Sequence, residues 1–63
     1  MYQVKIHDEI RQYEAGTTYL EIARDFQDQY ENDILLVRVN GKLRELEKTL
    51  AGDSEISFIT AKE

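Results

Sequence analysis

The sequence predicts an α+β domain, a mixed β-sheet crossed by a single helix. Three stretches carry that expectation. The run Ile34-Leu35-Leu36-Val37-Arg38-Val39 is the most apolar in the chain; it leads into Asn40-Gly41 and returns through Leu43. Asn-Gly supplies the two residues that tolerate positive φ in a tight hairpin. Near the start, Tyr2, Val4 and Ile6 alternate with polar neighbours, as a half-buried strand requires. Between these two, Thr18-Tyr19-Leu20-Glu21 has the spacing of a helix capping box.

Taken in order, Tyr2 to His7 is the first strand, with Tyr2, Val4 and Ile6 on one face. His7-Asp8-Glu9 is a tight turn, because Asp accepts the conformations that turns impose. Ile10 to Glu14 is a weaker strand. Ile10 and Tyr13 fall on its opposite faces, and Tyr13 is placed inward. Ala15-Gly16-Thr17 breaks the pattern. The helix then runs from Tyr19 to about Tyr30, capped by Thr18 and Glu21. Its apolar stripe is Leu20, Ala23 and Phe26, flanked by Tyr19, Ile22 and Tyr30, while Glu21, Asp25 and Asp28 lie on the wet face. Glu31-Asn32-Asp33 ends it.

The apolar run from Ile34 follows and is placed at the centre of the sheet. After the Asn40-Gly41 hairpin, Glu47-Lys48-Thr49-Leu50 reads as one helical turn that tucks Leu50 under the sheet. Ala51-Gly52-Asp53 is a turn, and Glu55 to Thr60 is the last strand, with Ile56 and Phe58 inward. That order of elements is the β-grasp, or ubiquitin-like, arrangement, with a short helical turn before the last strand.

Size and charge bound what such a domain does. The chain has 63 residues, 41% of them hydrophobic, and no Cys. One domain of this length buries only about 60% of its unfolded surface, so its core is small. Without Cys there is neither a disulfide framework nor a thiolate metal site. No apolar run approaches the roughly 20 residues that span a bilayer. The net charge of −5 disfavours nucleic acid as a default partner, because Lys and Arg supply most non-specific affinity for phosphates. The charge is uneven, however. Residues 21 to 33 carry Glu21, Asp25, Asp28, Glu31 and Asp33 against Arg24 alone, whereas residues 38 to 48 carry Arg38, Lys42, Arg44 and Lys48 against Glu45 and Glu47.

The residues give no catalytic constellation. Gly41-Lys42 is followed by Leu43, and position 36 is Leu, so there is no P-loop. His7 stands beside Asp8 and Glu9, but a metal needs three or four convergent ligands, and His7 reads as a solvated turn residue. Ser54 and Ser57 lack a nucleophile elbow. The helix carboxylates read as a solvated face, with no pocket to tune them for acid–base work. The basic hairpin remains: Arg38, Lys42 and Arg44 flank a protruding turn and form the candidate contact for an anionic partner, whether RNA or another domain of the same polypeptide.

Gly16-Thr17-Thr18 leading into Leu20-Glu21-Ile22-Ala23, then Val39-Asn40-Gly41-Lys42-Leu43, then Ile56-Ser57-Phe58-Ile59-Thr60 resemble, in that order, the TGS domain. This β-grasp module is named for threonyl-tRNA synthetases, certain GTPases and the guanosine-tetraphosphate synthetase/hydrolase enzymes. The resemblance covers Val4 to Lys62. Many members carry Pro-Asp-Gly in the first hairpin, where this chain has His7-Asp8-Glu9, a departure that bears on the geometry of that turn. Residues 34 to 46 look most like the TGS module at the N-terminus of bacterial uridine-kinase-like proteins. The ending Ile59-Thr60-Ala61-Lys62 is also similar to threonyl-tRNA synthetases.

The resemblance implies that residues 1–63 are a single TGS-like domain, an N-terminal piece of a larger protein. It implies a non-catalytic accessory or regulatory role, with an ATP-dependent uridine kinase as host. The alternative host is a threonyl-tRNA synthetase or a guanosine-tetraphosphate synthetase/hydrolase, where the module contacts RNA or neighbouring domains. Catalysis in such proteins belongs to other domains, so no catalytic, cofactor-binding or metal residue is carried over. The expected partners are the downstream catalytic domain and, weakly, RNA; the expected location is the cytoplasm, with no membrane contact. A ubiquitin-type carrier would present a terminal Gly-Gly, and Ala61-Lys62-Glu63 does not supply it.

Overall fold

The computed structural model describes residues 1–61; Lys62 and Glu63, on which the end of the TGS resemblance and the carrier argument fall, lie outside the described residues. The elements are β1 (Tyr2–Ile6), β2 (Glu9–Tyr13), α1 (Tyr19–Phe26), a 3-10 turn (Gln27–Gln29), β3 (Ile34–Val39), β4 (Lys42–Glu45) and β5 (Ser54–Thr60). They form one mixed sheet of order β2-β1-β5-β3-β4, with β1 parallel to β5 and the other pairs antiparallel. This is the β-grasp that the order of elements predicts. The helix covers one face, and the core lies between them: Val4 and Ile6 of β1, Ile22, Ala23 and Phe26 of α1, Val37 and Val39 of β3, and Ile56 and Phe58 of β5.

The pattern of β1 holds: Val4 and Ile6 are fully buried, and Tyr2 packs against the core. Tyr13 also packs on the core while Ile10 is 64% exposed, so the ambiguous second strand resolves with Tyr13 inward. The first turn is shorter than expected, since Glu9 already belongs to β2. Its positive φ of 56° falls on His7, not on Asp8.

The helix differs in extent and in face. It stops at Phe26, four residues before Tyr30, and the chain tightens into the 3-10 turn. Gln27 explains the stop. Its Nε2 donates to the Asn32 carbonyl (2.8 Å) and its Oε1 accepts the Ile34 N–H (3.0 Å), stapling the exit from the helix to the start of β3. The buried residues are Tyr19, Ile22, Ala23 and Phe26, the i, i+3, i+4, i+7 set of one helical face. Leu20, assigned to the stripe by its spacing with Ala23 and Phe26, is 38% exposed instead. Tyr19 and Ile22, placed at the flanks of that stripe, belong to the buried face instead.

The capping box is present. The Glu21 N–H donates to Thr18 Oγ1 (3.2 Å), and the Thr18 N–H reaches Glu21 Oε1 at 3.5 Å. The next two donors are met from outside the helix: Tyr19 N–H by the Lys48 carbonyl (3.0 Å) and Leu20 N–H by the Leu46 carbonyl (2.9 Å). The four N–H groups that a helix start leaves without an internal partner thus all find acceptors. This corrects the expected helical turn at residues 47 to 50. The chain instead makes a hydrogen-bonded turn, Lys48 N–H to the Glu45 carbonyl (3.2 Å), followed by a bridge between Thr49 and Thr18, because the Leu46 and Lys48 carbonyls serve α1. Leu50 is nevertheless buried as expected, held by its own N–H to the Thr17 carbonyl (2.8 Å). Thr18→Ala removes the side-chain half of this cap and should lower stability by about 1 kcal/mol; a urea midpoint equal to wild type would refute the assignment.

The strand at the centre is β5, not β3. The apolar run overstates the burial of β3, because only Ile34, Val37 and Val39 are core. Asn40 and Gly41 do form the hairpin turn, at φ 51° and 84°. Asn40 has a second role: its N–H donates to the Glu55 carbonyl (2.9 Å) and its Oδ1 accepts the Glu55 N–H (2.9 Å), which fastens the turn to the start of β5.

Candidate functional site

Strand register decides where the basic hairpin residues point. Lys42 lies opposite Val39 and Arg44 opposite Val37, so both emerge on the helix side of the sheet at its edge. Arg38 lies opposite Leu43 on one side and Ser57 on the other, on the open face. All three are exposed. The hairpin therefore does not gather them into one patch; it divides them between two faces, because side chains alternate along a strand and position 38 differs in parity from its partners' register.

Two shallow hollows result. Lys42 and Arg44 border one of about 360 Å³, together with Tyr19, Asn40, Asp53 and Ser54. Asp53 sets a negative charge in it, although its Oδ1 is engaged by the Gln3 N–H at 2.8 Å. Arg38 borders the other, of about 350 Å³, with Lys5, His7, Glu55 and Ser57. Here Lys5 and Glu55 face each other across the parallel β1–β5 pair, Nζ to Oε2 at 3.8 Å. His7 Nε2 and the Tyr30 hydroxyl share a hydrogen bond of 2.7 Å. Tyr30 in turn meets Phe58 edge-on, with ring centroids 6.0 Å apart.

Lys5 and His7 are the neighbours of Arg38 that sequence reasoning missed. The outward position of Lys5 was readable from alternation. Its proximity to Arg38 was not, because that depends on β5 inserting between β1 and β3. His7, read as a solvated turn residue, is exposed and yet held by a specific partner.

Two acidic side chains of the helix, Glu21 and Asp25, are engaged in structure. Glu21 closes the cap, and Asp25 Oδ2 accepts the Tyr13 hydroxyl at 2.9 Å. Partial burial, and then that hydrogen bond, hold the Tyr13 phenol above its ordinary ionisation range. Arg11 pairs with Glu9 and lies 4.4 Å from the centre of the Phe26 ring. Among the described residues no three His, Asp or Glu side chains converge as a metal site, and no helix is long and apolar enough to cross a membrane.

No protein-family model matches the chain. Over 51 residues, 81% of its length, it is 35% identical to a threonine–tRNA ligase of Desulforamulus reducens. This chain is similar to one stretch of a tRNA ligase. It spans only 8% of that relative's length.

Proposed function

We propose that the chain is a non-catalytic accessory module of the TGS kind, carried by a larger enzyme of the threonine–tRNA ligase type. The observation that carries this reading is the 51-residue similarity to the ligase, taken with a β-grasp whose capped helix and Asn-Gly hairpin coincide with the TGS-like motifs. The same similarity favours the ligase over the uridine-kinase host suggested by residues 34 to 46. The shallow, solvent-open hollows suit docking rather than enclosure of a reacting molecule. The module's first partner is then the remainder of its own polypeptide, in the cytoplasm, with the basic residues of the hairpin meeting carboxylates or RNA phosphates.

The reading frame beyond residue 63 tests the host. A zinc-binding editing region and a class II synthetase core would agree with the proposal; a Walker A motif would overturn it in favour of the kinase. RNA contact is tested by NMR titration of the domain with a short single strand. Because Arg38 is separated from Lys42 and Arg44, the expected shifts lie on one face only and vanish in high salt, where the few phosphate contacts are screened. Shifts centred on the acidic helix would exclude the hairpin as the contact.

A further inference from the structure

Away from both basic hollows lies a third, of about 350 Å³, bordered by Leu20, Leu35, Leu36, Glu45, Leu46 and Glu47. Its apolar lining follows from two features already described. Leu20 is left outside the buried face of α1, at 38% exposure. In β3, pairing with β5 shifts register between Ile34, opposite Thr60, and Leu36, opposite Ile59. Leu35 is the extra residue, 53% exposed. This irregularity lets two successive leucines avoid the core before Val37 returns to it, whereas strict alternation would have buried one of them. Register shifts of this kind re-aim side chains, and contiguous exposed apolar surface marks interaction sites.

We infer that this leucine groove is the seat of a segment from the remainder of the same polypeptide, one that presents a large apolar side chain between basic residues. The inference rests on the accessory-module reading and names the partner surface. Charge supplies the first argument. Glu45 and Glu47 stand at the rim with no ion pair among the described residues, on a domain of net charge −5. Size supplies the second. Four leucines, two of them already half-covered, fall well short of the about 800 Å² per partner that a stable association of separate molecules buries. A second copy of the chain is therefore a poor occupant. A tethered segment is a good one, since a short linker holds it at an effective concentration in the ~mM range.

The test compares amide hydrogen exchange at residues 35, 36, 46 and 47 in the full-length polypeptide and in the isolated 63-residue chain. Protection about tenfold greater in the full-length protein is expected, and it should be lost in Leu35→Ser. The double variant Glu45→Lys/Glu47→Lys gives the same readout with no apolar residue removed, so loss of folding cannot imitate the result. A synthetic peptide Lys-Arg-Leu-Phe-Arg-Lys, added to the isolated domain, should shift the groove resonances; its Glu-flanked counterpart should not. Equal exchange in the two proteins, equal binding of the two peptides, or protection that grows with concentration in the isolated chain would each overturn the proposal. The last would assign the groove to a second copy. A reading frame that stops after residue 63 would instead overturn the accessory-module reading, and this inference with it.

Discussion

Phe26→Ala should remove a large share of the domain's stability. Phe26 is 1% exposed and is the last residue of α1, where it pins the helix to the sheet. Its ring lies 5.6 Å from that of Phe58, and the Arg11 guanidinium covers it from the side of β2. Truncating a buried Phe costs about 3–5 kcal/mol, from lost transfer energy and from the cavity left behind. At about 0.05–0.15 kcal/mol per residue, a domain of this length has a total stability of about 3–9 kcal/mol, of which that loss is a large share. Circular dichroism and thermal melts would show the loss. A cost below about 1 kcal/mol would mean that the aromatic contact does not anchor the helix.

Gly41→Val is expected to cost about 2 kcal/mol, from the backbone alone. At φ 84° Gly41 occupies the left-handed region, and a Cβ built there meets nothing within 4 Å. A Cβ at this position therefore meets no neighbour, and the cost is the roughly 1–2 kcal/mol of left-handed backbone strain in an L-residue, raised by β-branching. Strain at the turn also pulls on Asn40, whose two hydrogen bonds to Glu55 hold the hairpin to β5. Gly41→Asn should cost clearly less, since Asn tolerates this region. Urea melts of the two variants separate the accounts; equal losses would show that something other than φ sets the requirement for glycine.

Local rules made much of the fold legible. Alternation found β1, the Thr18/Glu21 spacing found the helix start, and Asn40-Gly41 found the hairpin. Each depends on residues within a few positions of one another. What stayed hidden depends on distant partners. Leu20 and Leu35 look like core by composition, and only the registry of α1 and the shift within β3 turn them outward. Residues 47 to 50 read as a helical turn, but the carbonyls of Leu46 and Lys48 are drawn to the start of α1, nearly thirty residues earlier in the chain. The candidate site follows the same division. Arg38, Lys42 and Arg44 were found as basic residues near a turn. Their separation onto two faces follows from the register of the hairpin, and the company of Lys5 and His7 from the order of strands.

That order has a consequence for synthesis. β5 is the last of the described strands to leave the ribosome, yet it lies between β1 and β3 and is the only described strand that joins them. Its parallel register sets Val4 beside Ser54, a separation of fifty residues. Until Ser54–Thr60 emerges, the nascent chain has only two hairpins, β1–β2 and β3–β4, with a helix between them. Isolated hairpins are marginal in water, and contacts this distant in sequence form late. The sheet therefore closes only once Ser54–Thr60 has emerged, and any stall upstream of residue 54 holds the unfinished sheet open.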